Sequence, residues 1–75
     1  MARAVRDTKG LNCPLPVLKA RRALKALQPG EELEVLATDS AAVQDFAHFA
    51  ESAGHVLVDS RASDGFYVFV LRKGK

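Results

Sequence analysis

A single cysteine, Cys13, is the feature that most limits how this 75-residue chain can fold. One cysteine cannot form a disulfide within the chain, and it cannot supply the several thiolates of a structural zinc site. The two histidines, His48 and His55, are not spaced as a metal-binding pair, so we expect no bound metal. The chain is 48% hydrophobic, which is enough for a globular core. Apolar burial alone must therefore stabilise one small domain, which we place at residues 1–75.

Composition also limits which cellular compartment and which classes of partner we expect. No apolar run approaches the roughly 20 residues that span a bilayer, and the first seven residues lack the long apolar stretch of a signal peptide. A free thiol without an export signal predicts a reducing cytoplasm and no membrane insertion. Eleven Lys and Arg against nine Asp and Glu give a net charge of +2, which slightly favours acidic partners or RNA. Because no long basic run is present, we expect no DNA partner.

Hydrophobic periodicity and turn signals divide the chain into six short elements. They predict strands at residues 3–7, 32–38, 56–61 and 66–71, and helices at residues 14–27 and 41–53. A strand–helix–strand unit requires a parallel strand pair with a right-handed crossover, and the last two strands form an antiparallel hairpin. The predicted fold is an α/β two-layer sandwich of βαβαββ order, with a mixed four-stranded sheet and both helices packed on one face.

The same patterns place individual residues. The last strand is apolar on both faces and should be interior, whereas the short, polar first strand should be an edge. The sheet face without helices is then either a partner surface or a small packed patch. Asp39 is the predicted N-cap of the second helix, and Gly54 is its predicted end. The predicted buried positions are Val17, Ala20, Leu24 and Leu27 in the first helix, Leu33, Val35 and Ala37 in the second strand, and Val43, Phe46, Ala47 and Ala50 in the second helix.

Cys13 is followed by two prolines, Pro14 and Pro16. Prolines destabilise the interior of a helix but cost little stability at its start. We predict Cys13 at the N-cap, Pro14 at the first helical position and Pro16 at the third. A helix N-terminus favours thiolate over thiol, so this position predicts an exposed thiol with a lowered pKa. Nearby cations could add to the effect: Lys9, Lys19, Arg21 and Arg22. A lone cysteine is more often a small buried hydrophobe, and the residues alone leave both interpretations open.

Residues 10–16, Gly-Leu-Asn-Cys-Pro-Leu-Pro, resemble the Cys-Pro-x-Pro signature of the TusA (SirA-like) sulfur-carrier family. The resemblance covers nearly the whole chain. Further matching positions are Asp7, Pro29-Gly30, Asp39, Asp45, Gly54-His55, Asp64-Gly65 and the terminal Arg72-Lys73-Gly74.

The resemblance implies the βαβαββ sandwich and a sulfur carrier that holds a persulfide on Cys13, with Gly10, Pro14 and Pro16 as the supporting motif residues. A cysteine desulfurase or a rhodanese would donate the sulfur, and a second thiol-bearing protein would accept it, in a sulfurtransferase-type relay without a cofactor. Leu15 stands where members that serve tRNA thiolation often have Glu. The pathway therefore stays open between tRNA thiolation, cofactor assembly and sulfur oxidation.

The first helix supplies the candidate partner-binding residues Lys19, Arg21 and Arg22. Arg21 ranks first because the resemblance implies a partner-contacting Arg at its position. We interpret His48 and His55 as structural or surface residues and not as the base of a Cys/His pair. The alternative function is a non-catalytic RNA-binding or regulatory module with an incidental Cys13, because the fold type also resembles the C-terminal domain of translation initiation factor three.

Overall fold

A computed structural model describes residues 3–74 and shows six elements in the order βαβαββ. The strands are β1 (Ala4–Thr8), β2 (Glu32–Ala37), β3 (Val56–Ser63) and β4 (Phe66–Arg72), and the helices are α1 (Leu15–Lys25) and α2 (Ala41–Ala53). This order confirms the sequence prediction, and α2 has the predicted bounds. The third strand is longer than predicted because it pairs with β4 as far as the two-residue turn at Asp64 and Gly65.

The four strands form one mixed sheet in the order β1-β2-β4-β3. β1 runs parallel to β2, and β4 runs antiparallel to both β2 and β3. The predicted edge position of the first strand and the predicted interior position of the last are thus both confirmed. The parallel β1–β2 pair has a consequence for function: α1 and α2 both begin at the carboxyl-terminal edge of this pair.

Both helices pack on the same face of the sheet, as predicted. On that face Leu33 lies opposite Leu71 and Val35 lies opposite Phe69. These four residues belong to one hydrophobic core with buried residues of both helices. The rings of Phe46 from α2 and Phe69 from β4 stack with centroids 4.7 Å apart, at the centre of that core.

The buried stripe of α2 differs from the prediction. Phe46 and Ala50 are buried, but Val43 is 41% exposed and Ala47 is exposed, while Ala42 is buried instead. Ala42, Phe46 and Ala50 are spaced four residues apart and form a narrow stripe in which one large ring lies between two small side chains. In α1 the predicted Ala20 and Leu24 are buried, whereas Val17 and Leu27 are partly buried at the margin of the core.

The sheet face opposite the helices carries a small packed patch at its centre and an exposed valine, Val5, on its β1 edge. Val68 and Val70 are only 4% and 3% exposed, although no helix covers them. The adjacent strands place charged residues beside them, with Arg61 next to Val68 and Glu34 next to Val70. Within residues 3–74 no helix is long and apolar enough to cross a membrane.

Candidate functional site

The loop between β1 and α1 presents Cys13 and is fixed to the end of β2. The hydroxyl of the buried Thr8 donates a hydrogen bond to the carbonyl oxygen of Leu36 at 2.5 Å. Gly10 has φ of 86°, in the left-handed region that favours glycine, and its N–H donates to Thr38 Oγ1 at 2.9 Å. The chain therefore leaves β1 in a defined direction before it reaches Cys13.

Helix α1 begins later than predicted, so Cys13 lies one residue before the N-cap. Pro14 is the N-cap, because its φ of −101° and ψ of 20° lie outside the helical region. Leu15 is the first helical residue, and Pro16 is buried at the second position. The peptide bond between Cys13 and Pro14 is cis. The predicted assignments of Cys13, Pro14 and Pro16 to the N-cap, first and third positions are therefore wrong by one residue.

Two carboxylates from the neighbourhood of the α2 N-terminus contact Cys13, whose side chain is exposed. The thiol of Cys13 donates a hydrogen bond to Asp45 Oδ2. The backbone N–H of Cys13 donates to Asp39 Oδ2 at 2.7 Å. The other oxygen of Asp39, Oδ1, accepts the N–H of Ala41 at 3.0 Å. Both the sulfur and the backbone of Cys13 are thus held by α2 and the residue that precedes its cap.

This environment raises the pKa of the Cys13 thiol above its ordinary value. The hydrogen bond to Asp45 is the largest cause, followed by partial desolvation and by the negative charges of Asp45 and Asp39. The sequence-based prediction of a lowered pKa is therefore wrong. The hydrogen bonds that Asp39 accepts from the N–H groups of Cys13 and Ala41 lower the pKa of its own carboxyl.

The sequence predicted a positive environment around the sulfur, but no positively charged group is among the causes of this pKa shift. None of the four predicted cations contributes to it. Lys9 instead lies with its Nζ 4.9 Å from the centroid of the Phe66 ring and 3.9 Å from the carboxylate of Asp7. The one-residue displacement of Cys13 from the helix cap also removes the position on which the helix-dipole argument depended.

Sequence reasoning missed Asp45 as a neighbour of the sulfur and gave Asp39 only part of its role. Cys13 and Asp45 are 32 residues apart, so no local pattern connects them. The N-cap of α2 is Ser40, not the predicted Asp39, although the Asp39 carboxylate satisfies the N–H of Ala41. The available signal was topological: parallel β1 and β2 bring the loops that follow them to one edge of the sheet.

The three candidate partner-binding residues do not share one surface. Lys19 and Arg22 line a shallow hollow on the exposed side of α1 together with Leu15 and Leu18, which are 45% and 44% exposed. Arg21 faces the other side of the helix. It lines a hollow between the C-terminal ends of α1 and α2 with Lys25, Phe49, His55 and Lys73.

Within residues 3–74 no group of three or more His, Cys, Asp or Glu side chains could hold a metal ion. Among residues 3–74 neither histidine is a hydrogen-bond partner of Cys13. His48 is exposed on α2, and Nδ1 of His55 accepts a hydrogen bond from the N–H of Gly74 at 3.1 Å.

Comparison with known proteins identifies relatives over nearly the whole chain. Residues 5–73 match the family described as "Sulfurtransferase TusA". The sulfur carrier protein TusA of Allochromatium vinosum is 43% identical over 67 residues, which cover 89% of this chain and 88% of the relative. The sulfur carrier protein TusA of Pseudomonas paraeruginosa is 39% identical over 70 residues, which cover 93% and 89%. The crystal structure of a SirA-like protein from Desulfitobacterium hafniense superposes with a TM-score of 0.84 at 26% identity, over 96% of this chain and 99% of that one.

Proposed function

Since the chain belongs to the TusA sulfurtransferase family and is a sulfur carrier, we propose that Cys13 is the residue on which it carries sulfur, as a persulfide. The observation that carries this proposal is that the only cysteine of the sequence has an exposed side chain. A donor protein can therefore reach its Sγ. Gly10, Pro14 and Pro16 act as supporting residues that set the path of the loop on either side of Cys13.

The loading step is a transfer of sulfane sulfur without net oxidation or reduction. The thiolate of Cys13 attacks the terminal sulfur of a persulfide on the donor. A new S–S bond forms at Sγ, the S–S bond of the donor breaks, and the electron pair leaves with the donor's inner sulfur, which takes up a proton.

Delivery repeats the same chemistry with Cys13 as the leaving group. A thiolate of the acceptor attacks the terminal sulfur, and Cys13 departs as a thiolate that takes up a proton. Because the sequence has no second cysteine, the persulfide cannot be resolved to a disulfide within the chain. The acceptor thiol therefore belongs to another protein.

We further propose that the 75 residues act as one carrier domain in the cytoplasm, without a cofactor of their own. The donor is a cysteine desulfurase or a rhodanese, since both form a persulfide on a cysteine that can be attacked by Cys13. Turnover then consists of two docking events, one with the donor and one with the acceptor. The carrier acts in this relay as a sulfurtransferase-type component.

The hollow on α1 is the proposed docking surface for an acidic partner. Lys19 and Arg22 provide positive charge, and Leu15 and Leu18 provide exposed apolar surface beside it. Reversing both charges, Lys19→Glu with Arg22→Glu, should lower the association rate with the donor on the order of tenfold at low salt. Arg21→Glu tests whether the second hollow takes part, because Arg21 lies on the other side of the helix.

The decisive experiment for the carrier role is intact-mass spectrometry after incubation with a cysteine desulfurase and cysteine. Cys13→Ser serves as the matched control because it keeps the size and polarity of the side chain. We expect the mass to increase by one sulfur atom in the wild type and to stay unchanged in the control. If the wild type gains no sulfur from this donor, or from a rhodanese with thiosulfate, the assignment of Cys13 fails.

A further inference from the structure

The contact between Cys13 and Asp45 leads to an inference that rests on the proposed function and concerns how the carrier is activated. We propose that Asp45 holds the Cys13 thiol protonated in the free carrier, and that a cationic side chain of the sulfur donor activates the thiol by pairing with Asp45.

The geometry around the sulfur places the thiol beside a carboxylate. Sγ of Cys13 and Oδ2 of Asp45 are hydrogen-bond partners, and an ionised carboxylate can only accept, so this bond requires the thiol to keep its proton. Asp39 holds the backbone N–H of the same residue at 2.7 Å, so the sulfur is kept beside the carboxylate. Ionisation of the thiol would break the hydrogen bond and place a second negative charge next to Asp45.

The charge around the sulfur is negative. The charged groups that act on the sulfur are Asp45 of α2 and Asp39 in the loop before it, and both are negative. The cations of the neighbouring elements are directed elsewhere. Lys9 lies by Asp7 and Phe66, while Lys19 and Arg22 line the hollow on α1. Among residues 3–74 no cation lies within salt-bridge distance of Asp45 or Asp39.

A protonated thiol protects a sulfur carrier between docking events. The thiolate is the nucleophile in sulfur transfer, so a carrier whose thiol stays protonated reacts slowly with small electrophiles and oxidants. The donor must then supply the missing positive charge. Asp45 is half-buried and lies beside the exposed Cys13. A Lys or Arg of the donor can therefore reach its carboxylate and pair with it during docking.

When a cation pairs with Asp45, the carboxylate no longer favours the protonated thiol, and the proton of Cys13 passes to solvent. The thiolate attacks the sulfane sulfur of the donor persulfide, the S–S bond of the donor breaks, and the electron pair leaves on the donor's inner sulfur. That sulfur takes up a proton from solvent, so no oxidant or reductant is required.

Two rates measured on the same variants test this proposal. Asp45→Asn removes the negative charge at nearly constant size. Glu51→Gln is the matched control, because Glu51 is an exposed carboxylate of the same helix that takes no part in the hydrogen bonds around Cys13. Urea unfolding of each variant checks that the fold is retained, and Asp45→Ala, which also removes the charge, replaces Asp45→Asn if that variant is unstable.

The first rate is alkylation by iodoacetamide as a function of pH. We expect the midpoint of the Asp45→Asn profile to move to lower pH and its rate at pH 7 to rise several-fold over the wild type. Glu51→Gln should follow the wild type. Coinciding profiles for Asp45→Asn and the wild type would overturn the proposal.

The second rate is persulfide loading by a cysteine desulfurase below saturation, followed by intact mass. In the wild type a cation of the donor already pairs with Asp45, so Asp45→Asn should be loaded no faster than the wild type. Its loading should be several-fold slower if the lost ion pair weakens docking. Loading that accelerates by the same factor as alkylation would overturn activation by the donor. If the wild type gains no sulfur from the desulfurase or from a rhodanese with thiosulfate, the carrier role of Cys13 is refuted instead. The alkylation rates would still report the effect of Asp45 on the thiol.

Discussion

Asp39 connects two parts of the site through its two carboxylate oxygens. One oxygen accepts the N–H of Cys13 at 2.7 Å, and the other accepts the N–H of Ala41 at 3.0 Å. A backbone N–H left without a partner is costly, so each of these bonds restrains the segment that donates it. One residue thus ties the loop that carries the sulfur to the start of α2.

Replacing Asp39 should loosen this connection in a graded way. Asp39→Ala removes both acceptors, whereas Asp39→Asn keeps one carbonyl oxygen that can accept one of the two N–H groups. We expect amide hydrogen exchange at Cys13 and Ala41 to accelerate strongly in Asp39→Ala and less in Asp39→Asn. Asp64→Ala, in the exposed β3–β4 turn, is the control. Unchanged exchange at Cys13 in Asp39→Ala would contradict this role.

The same contact makes a pH-dependent contribution to stability. The N–H donors lower the pKa of Asp39 in the folded protein. A carboxyl with a lowered folded pKa stabilises the fold at pH values above its unfolded pKa, and this contribution is lost as the pH falls through the folded pKa. We therefore expect the free energy of unfolding, followed by circular dichroism, to decrease less between neutral and acidic pH in Asp39→Asn than in the wild type.

At the scale of elements, the end of β4 joins the C-terminal ends of both helices. Lys73 Nζ donates to the carbonyl oxygen of Leu27, just after α1, at 2.6 Å. The N–H of Gly74 donates to Nδ1 of His55, the residue after the Gly54 cap of α2. A Cβ on Gly74 would lie 1.8 Å from the carbonyl oxygen of Gly54, so this junction requires glycine. His55 is therefore a structural residue of the junction, as its sequence context indicated.

His55 should make stability depend on pH near neutrality. Burial, and after it the charge of Lys73, lowers the pKa of His55 in the folded protein. The unfolded chain then binds more protons than the folded one around the ordinary pKa of 6.5, so stability rises with pH in this range and falls as the pH drops below it. We expect the free energy of unfolding, measured with urea, to increase between about pH 5 and pH 7.

Substitution of each histidine isolates this effect. His55→Asn keeps an acceptor for the Gly74 N–H but cannot titrate, so the increase of stability with pH should shrink. His48→Asn is the matched control, because His48 is exposed on α2. Parallel pH profiles for His55→Asn and the wild type would show that another group is responsible.

The elements also show which parts of the structure follow from sequence and which do not. Alternation of Leu33, Val35 and Ala37 identified β2, and the parallel β1–β2 pair followed from chain connectivity alone. The chemistry of Cys13 did not follow, because a thiol pKa depends on charges brought close by tertiary structure. Asp45 reaches the sulfur from α2, while a local argument considered only the prolines and cations near Cys13 in sequence.

At the scale of the whole molecule, the stacked rings of Phe46 and Phe69 hold the helix layer on the sheet. Both residues are fully buried, and Phe46 lies between Ala42 and Ala50, which are small enough for α2 to approach β4 closely. A chain of this length has a free energy of unfolding of about 4–11 kcal/mol, from about 0.05–0.15 kcal/mol per residue. The loss of one large core side chain is therefore a substantial part of the total.

Phe46→Ala should lower the free energy of unfolding by about 3–5 kcal/mol, since it removes the buried ring and leaves a cavity that neighbouring alanines cannot fill. Val43→Ala in the same helix is the matched control and should change stability by roughly 0.5 kcal/mol or less, because Val43 is 41% exposed. Urea unfolding followed by circular dichroism measures both. Phe46→Leu should retain more of the core and keep the domain folded if Phe46→Ala does not fold. Equal effects of Phe46→Ala and Val43→Ala would show that the ring stack does not anchor α2, and with it Asp45, on the sheet.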